Sequence, residues 1–197
     1  MQTSPPLPDS DGALARLLAG NRRYIAMRQL HPRQTSEQRQ TLLEGQNPIA
    51  AVLSCSDSRV PSELIFDQGL GDLFIVRTAG HAVNEVVLAS VEFAVHVLKV
   101  PLVLVLGHAQ CGAVSAAVSD KPLPGHMASL KTALRPAVDA TMDHAGDPLD
   151  NAIRAHVRLT AEQLWAESAI LGDAVAHERI KITPAYYDLN TGSVELL

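Results

Sequence analysis

Two continuous apolar runs constrain the fold of this chain more strongly than any other feature of its sequence. Residues 49–53 (IAAVL) are followed closely by Cys55, and residues 102–106 (LVLVL) are followed by His108 and Cys111. Short unbroken apolar runs are typical of strands that are buried on both faces, as in parallel sheets. The chain has 2 cysteines, and each of them follows one of these runs. The sequence therefore predicts that two buried strands deliver both cysteines to one edge of a sheet.

The rest of the chain predicts strands that alternate with helices. Residues 73–76 form another apolar run, and residues 84–98 carry apolar side chains at helical spacing. Together with the run at 102–106, these segments predict a strand, a helix and a second strand, which is a parallel crossover unit. We expect a three-layer α/β domain with a mostly parallel central sheet flanked by helices, and with an N-terminal helical arm. The further predicted elements are helices at 13–25, 112–118, 127–142 and 151–171, strands at 180–182 and 185–189, a closing hairpin in DLNTGSVEL, and no element in the polar segment 31–47.

Length and composition are those of a single soluble domain. The 197 residues, with an apolar content of 47%, can form one substantial core. Residues 1–10 are rich in proline, serine and aspartate and predict a mobile tail, so residues 11–197 are expected to form the domain. A net charge of -5 gives no general attraction to nucleic acid. Since no segment approaches the ~20 apolar residues that cross a bilayer, we expect a cytoplasmic protein with neither a membrane nor a nucleic-acid partner.

The residues at the two strand ends form a set with metal-binding chemistry. Cys55, His108 and Cys111 offer two sulfurs and one nitrogen, which suits zinc better than magnesium or calcium. Three protein ligands leave a fourth position open, as in catalytic zinc sites. Asp57 can take that position, whereas Arg59 can hold the same carboxylate away through a bidentate pair. The alternatives are that the cysteines are buried apolar residues or a disulfide, and that Asp57 and Arg59 form a purely structural ion pair.

Three segments give the chain a resemblance to a known family. CSDSRVP, FDQGLGDLFIVRTAG and GHAQCGAV resemble the β-class carbonic anhydrases, and the similarity extends from about Gly20 to the terminal YYDLNTG. The resemblance implies one zinc ion per chain, bound by Cys55, His108 and Cys111, with Asp57 and Arg59 beside it. It also implies an α/β subunit whose N-terminal helix embraces a partner. Homodimers or homotetramers with active sites at the subunit interface are therefore expected.

The same resemblance implies a set of substrate-binding residues. Gln46 corresponds to a glutamine that hydrogen-bonds the substrate from across the dimer interface. Phe74 corresponds to an aromatic wall of the pocket, and Val60 to part of its apolar lining. Phe93 stands where many members have tyrosine, so a hydroxyl is missing there. The backbone of Gly112 corresponds to a donor toward bound bicarbonate.

The resemblance and the ligand set together predict a reaction. We expect zinc-dependent, reversible hydration of carbon dioxide to bicarbonate and a proton, by attack of zinc-bound hydroxide. Asp57 is expected to accept a hydrogen bond from the nucleophile and to orient it. The sequence does not identify the proton shuttle, and His81 is only a guess for it. Two alternatives remain open at this point. One is hydrolysis of carbon disulfide or carbonyl sulfide at the same zinc site, and the other is a zinc-binding or redox-sensing protein without catalytic activity.

Overall fold

A computed structural model describes residues 7–119 and 121–197, and within them the chain forms eight α-helices and five strands. Most of the predicted mobile tail, residues 1–6, lies outside the described residues, so that prediction stays untested. The strands are β1 Ala50–Cys55, β2 Leu73–Thr78, β3 Leu102–His108, β4 Lys181–Tyr187 and β5 Val194–Leu196. The helices are α1 Ser10–Ile25, α2 Ser36–Thr41, α3 Ser62–Ile65, α4 Glu85–His96, α5 Gly112–Val118, α6 Met127–Asp139, α7 Pro148–Glu167 and α8 Ala169–Ala176.

The five strands form one sheet in the order β2-β1-β3-β4-β5. The first four strands are parallel, and β5 closes the edge as the antiparallel arm of a hairpin with β4. The strand order reverses between β1 and β3, whose register places Leu53 beside Val105 and Ser54 beside Leu106. Ligand sites of open α/β sheets lie outside the carboxyl ends of the strands at such a reversal. The predicted α/β fold, with β1 and β3 as neighbours, is confirmed.

Helices cover both faces of the sheet, because successive side chains of a strand point to opposite faces. Leu53 and Val105 lie in a core cluster with apolar residues of α4, α7 and α8. Val52 and Leu104 lie in a second cluster with residues of α1 and α3. A third cluster, formed by α5, α6 and the first half of α7, lies at the carboxyl edge of the sheet. The result is three layers with an additional helical cover over the edge where the two cysteines emerge.

The N-terminal helix α1 is an integral part of this core. Its N-cap Asp9 accepts a hydrogen bond from the backbone N–H of Gly12 at 2.7 Å. Ala13 and Leu17 are fully buried against the sheet of their own chain. One turn later, Gly20 packs directly on the backbone beside α3. The predicted helix is therefore present, and the prediction that it also embraces a partner subunit concerns the assembly and stays a prediction.

Three sequence predictions differ from the structure in their boundaries. The polar segment 31–47, for which no element was predicted, contains α2 and a short 3-10 helix at Leu42–Glu44. The single helix predicted at 151–171 is interrupted at Ser168, whose hydroxyl accepts from the backbone of Leu171 as the cap of α8 and donates to Glu92. The two strands predicted at 180–182 and 185–189 are one strand, β4. It runs through Pro184, which is paired with Val105 of β3 and precedes the residues of β4 that pair with β5.

No helix in the described part of the chain is both long enough and apolar enough to cross a membrane.

The contact at Gly20 predicts that Gly20→Ala lowers stability. An alanine in a helix is favoured over glycine by about 1 kcal/mol, but a Cβ at this position would lie 1.7 Å from the backbone oxygen of Phe66. Overpacking typically costs about 1–3 kcal/mol, and backbone atoms cannot rotate away, so we expect a lower melting temperature. Gly112→Ala is the control, because nothing lies within 4 Å of its added Cβ. A melting temperature of Gly20→Ala at or above that of the control would contradict the close packing of α1.

Candidate metal centre

The structure brings the three predicted metal ligands together. Cys55 is the last residue of β1, His108 is the last residue of β3, and Cys111 is the N-cap of α5. Their ligand atoms all lie within 4.8 Å of one another, and all three side chains are buried. The cluster exists because β1 and β3 are parallel neighbours whose carboxyl ends lie at the same edge of the sheet. The two residues between His108 and Cys111 then turn the chain back into α5.

The hydrogen bonding of His108 leaves one ring nitrogen ready to bind a metal. Its Nδ1 lies 2.8 Å from the backbone oxygen of Ala109, to which it donates. The other nitrogen, Nε2, therefore carries the lone pair, and it is buried without a hydrogen-bond partner. A buried imidazole nitrogen with no partner is costly, and coordination of a metal satisfies it. A backbone carbonyl that fixes the tautomer in this way is common among metal-binding histidines.

The two sulfurs have the spacing of a zinc site. Cys55 and Cys111 are free thiols whose Sγ atoms lie 3.9 Å apart. Two sulfurs bound tetrahedrally to zinc at about 2.3 Å lie roughly 3.8 Å from each other. A disulfide requires an S–S distance of about 2.05 Å, so the predicted alternative of a disulfide is not formed. The residues present therefore fit a zinc ion in both donor type and spacing.

The two thiols influence each other's protonation strongly. The hydrogen bond from Cys111 lowers the pKa of Cys55, and the neighbouring Cys55 raises the pKa of Cys111. The pair therefore loses one proton easily and holds the second, because two adjacent thiolates repel each other. Metal ligands must be deprotonated, so binding of a divalent cation at this position releases the retained proton.

Backbone N–H groups surround both sulfurs. Gly80 donates to the Cys55 Sγ at 3.2 Å, and Asp57 donates to the same atom at 3.4 Å. On the other sulfur, the backbone N–H groups of Ala113 and Val114, at the start of α5, lower the pKa of Cys111. Each hydrogen bond to a thiolate disperses part of its negative charge. Two thiolates next to zinc would otherwise reduce its strength as a Lewis acid, and these donors counter that effect.

Asp57 and Arg59 form a bidentate pair beside the cluster. Arg59 Nε donates to Asp57 Oδ1 at 2.9 Å, and Arg59 Nη2 donates to Oδ2 at 2.8 Å. The guanidinium holds the pKa of Asp57 well below its usual range, so the carboxylate is ionised throughout the neutral range. Asp57 Oδ2 lies 4.0 Å from Nε2 of His108, near the metal ligands but outside the group they form. Ligation of the metal by Asp57 stays a prediction.

A second arginine fixes the loop that carries this pair. Arg77, on β2, donates from Nε to the backbone oxygen of Cys55 at 2.9 Å and from Nη2 to that of Asp57 at 2.6 Å. One guanidinium thus holds the backbone of residues 55–57 in place. Sequence analysis missed this contact, because an arginine within the strand LFIVRT gives no sign of which backbone it will reach.

The surroundings of His81 do not suit a proton shuttle. Its side chain is 1% exposed, and neither ring nitrogen has a hydrogen-bond partner. The ring stacks on that of His156, with centroids 4.4 Å apart. Burial is the main cause that lowers the pKa of His81 well below its usual value, and the neighbouring imidazoles of His156 and His108 add to it. A neutral, enclosed imidazole is a poor proton acceptor near pH 7, so these surroundings do not favour the role, which stays a prediction.

Two of the predicted substrate-binding residues lie close to the metal ligands in the chain. Val60 is fully buried, and its backbone N–H donates to the backbone oxygen of Asp57 at 3.0 Å. Gly112 follows Cys111 directly as the first residue of α5, and nothing lies within 4 Å of where its Cβ would be. Their contact with substrate stays a prediction.

The other three predicted residues lie away from the cluster of their own chain. Gln46 precedes β1, so the length of that strand, about 17 Å, separates it from Cys55. Phe74 pairs with Ala51 rather than with a strand end, which places it roughly 13 Å from the cluster along the sheet. Phe93, on α4, is 47% exposed, and its ring centroid is 6.1 Å from that of Phe74. Contact of these three residues with substrate stays a prediction.

Comparison with known proteins gives the family. A profile described as carbonic anhydrase matches residues 50–194. Carbonic anhydrase 2 of Mycobacterium tuberculosis is 41% identical over 184 residues, which cover 91% of this chain and 89% of that protein. The carbonic anhydrase of Mycolicibacterium smegmatis is 40% identical over 196 residues, which cover 96% of this chain and 95% of that protein. A tetrameric β-carbonic anhydrase of Sordaria macrospora has a TM-score of 0.73 at 24% identity, covering 81% of this chain and 85% of that one. The chain therefore belongs to the carbonic anhydrase family and has the fold of its β-class.

Proposed function

We propose that the protein is a zinc-dependent carbonic anhydrase, which converts carbon dioxide and water reversibly to bicarbonate and a proton. The observation that carries this proposal is the buried cluster of Cys55, His108 and Cys111, with an ionised carboxylate held beside it by Arg59. Three ligands suit a catalytic site, because the fourth position stays available for water. The alternatives of carbon disulfide or carbonyl sulfide hydrolysis, and of a zinc or redox protein without activity, are not favoured by the family match.

The residues of the chain have distinct tasks in this reaction. When bound, zinc lowers the pKa of a coordinated water to about 7 and so provides a nucleophile near neutral pH. Asp57, ionised and oriented by Arg59, would accept a hydrogen bond from that water and so orient it toward carbon dioxide. Val60 contributes apolar surface for a substrate that has no charge, and the backbone N–H of Gly112 donates to the bicarbonate oxygen.

The guanidinium of Arg59 also controls access to the metal. A carboxylate that binds zinc would occupy the fourth position and exclude both water and substrate. Both oxygens of Asp57 accept from Arg59, and the backbone N–H of Arg59 donates to Oδ1 at 2.9 Å as well. Three hydrogen bonds from one residue therefore compete with the metal for this carboxylate. The paired arrangement is the one that leaves the site open.

We further propose that the active protein is a homodimer or homotetramer in the cytoplasm. The predicted roles of Gln46, Phe74 and Phe93 need a second subunit. Apolar side chains on and after α4 are exposed in the single chain, with Val86 at 74% and Val97 at 54%; groups of this kind mark interaction surfaces. The cytoplasmic location is supported by the pair of free thiols, because a reducing compartment preserves thiol ligands.

A contribution of Gln46 across the interface predicts complementation between two inactive variants. Gln46→Ala keeps the metal ligands, and Cys111→Ser keeps the glutamine. When the two chains are co-expressed, one site of each mixed dimer has intact ligands from one subunit and an intact glutamine from the other. We expect carbon dioxide hydration above that of either variant alone. The control partner is the double variant Gln46→Ala, Cys111→Ser, which offers no glutamine and should give no rescue. Equal activity with both partners would show that Gln46 does not act across an interface.

The metal cluster predicts the zinc content of the purified protein. We expect about one zinc ion per chain, with X-ray absorption showing two sulfur ligands and one nitrogen ligand from the protein. Cys111→Ser should lose most of the metal, because it removes a thiolate ligand. His96→Ala is the control, since His96 is exposed on α4, outside the cluster. Full zinc occupancy in each of Cys55→Ala, His108→Ala and Cys111→Ala would rule out this site.

The Asp57–Arg59 pair predicts two variants that keep zinc and lose activity. Arg59→Ala should free the carboxylate to bind the metal and close the site. Asp57→Ala should remove the orienting hydrogen bond and reduce the rate by roughly 10²–10⁴-fold, as is typical of a positioned acid–base group. The measurement is zinc content and carbon dioxide hydration rate from about pH 6.5 to 9, which brackets a zinc-water pKa of ~7.

Arg158→Ala is the control for the loss of a surface arginine, because Arg158 is exposed on α7. In the unaltered protein and in this control, the hydration rate should climb with pH as the nucleophile forms. Wild-type rates for both pair variants across the whole range would mean that Asp57 and Arg59 are only a structural ion pair.

A further inference from the structure

A glycine with an unusual backbone conformation places a hydrogen-bond donor on one of the metal ligands. Gly80 lies in the short 3-10 segment after β2, and its φ of 63° is in the left-handed region. Its backbone N–H donates to the Cys55 Sγ at 3.2 Å. A Cβ at this position would lie 3.0 Å from the Cβ of Ala113 and 3.3 Å from the side chain of Leu134. Both the conformation and the space therefore require glycine here.

Glycine adopts this conformation readily, but the next residue does not. His81 also has a positive φ, 44°, which is uncommon for a residue with a side chain. Backbone of this kind persists only where surrounding contacts hold it. A small rotation of the peptides around Gly80 would turn its N–H away from the sulfur, so the contacts of these peptides decide whether the donor stays in place.

One buried side chain contacts the Gly80 peptide from a distant helix. His156, on α7, is 5% exposed, and its Nε2 lies 2.8 Å from the backbone oxygen of Gly80. A carbonyl only accepts, so His156 donates from Nε2. Burial lowers the pKa of His156 to about 4, so the ring is neutral near pH 7 and has one N–H to donate. The two hydrogen bonds form a chain that leads from α7 through Gly80 to the sulfur.

We infer that His156 is a positioning residue of the metal centre: through its hydrogen bond to the Gly80 carbonyl it holds the Gly80 N–H on the Cys55 sulfur and so sets the affinity of the site for zinc. The inference rests on the proposed zinc site. Loss of an outer partner of a metal ligand typically costs about 10–100-fold in metal affinity. His156 lies on the helix that buries the site, and so links the packing of α7 to the metal.

The competing explanation is that His156 only fills space in the core. Its helix neighbours Ile153, Val157 and Thr160 are buried as well, so any large change at position 156 disturbs packing. A test must therefore remove the N–H and keep the volume. Glutamine and methionine are close in length and shape, and glutamine alone can donate to the Gly80 carbonyl.

The experiment compares zinc affinity in His156→Gln and His156→Met by competition with a chromophoric chelator. We expect the Gln variant to remain near the unaltered protein and the Met variant to bind zinc at least ~10-fold more weakly. With cobalt in place of zinc, the thiolate-to-cobalt absorption band of the Met variant should move to longer wavelength, because its sulfur loses a hydrogen bond. Thr160→Val is the packing control, since the buried Thr160 hydroxyl on the same helix has no hydrogen-bond partner; it should change neither quantity.

Equal zinc affinity and equal cobalt spectra in the Gln and Met variants would overturn the inference. If the Met variant does not fold, the hydrogen bond from Gly80 to the Cys55 sulfur can be measured directly in the unaltered protein. With cadmium-113 at the site, the Gly80 amide proton should show scalar coupling to the metal through the Cys55 sulfur in the unaltered protein and in His156→Gln; its absence in the unaltered protein would also overturn the inference. Carbon dioxide hydration is recorded separately. An unaltered protein that binds zinc without hydrating carbon dioxide would refute the proposed function, while the zinc comparison would still decide the role of His156.

Discussion

The parallel pairing of β1 with β3 is the interaction on which the rest of the structure depends. The strand order reverses between these two strands, so their carboxyl ends are the point at which the chain can enclose a small ligand. The register brings Cys55 to His108, and the turn after β3 returns Cys111 to the same point. A slip of one residue would turn every side chain of a strand to the opposite face. The apolar layers on both faces prevent such a slip, so the core of the domain also fixes the geometry of the metal ligands.

Charge compensation is the second requirement of a site built in this way. Two cysteine sulfurs and a carboxylate lie close together at a buried sheet edge, and the negative charge that they carry once both thiols are deprotonated is costly unless it is hydrogen-bonded or bound to a cation. The backbone supplies N–H groups to both sulfurs, and Arg59 supplies three hydrogen bonds to Asp57. Arg77 donates to backbone oxygens there and so fixes the loop that contains Asp57. The site is thus prepared for a divalent cation by groups that do not themselves bind it.

Much of the fold could be predicted, because the buried strands are continuous apolar runs and the crossover helix α4 has a regular apolar face. The three ligands could also be predicted, since each follows the end of one of the two apolar runs. α2 was missed because a short polar helix has no apolar period, and the break at Ser168 was missed because its cause is a cap and a contact with Glu92, 76 positions away. The contact from His156 to Gly80 likewise spans 76 positions. Side chains that meet the site from distant helices leave no periodic signal in the sequence.

The most direct test of the account is a zinc titration of metal-free protein, followed by stopped-flow measurement of carbon dioxide hydration with a pH indicator. If the cluster of two cysteines and one histidine is the catalytic centre, the hydration rate should rise in proportion to added zinc and level off at about one equivalent per chain. A protein that takes up this zinc and shows no hydration above the buffer rate would contradict the account.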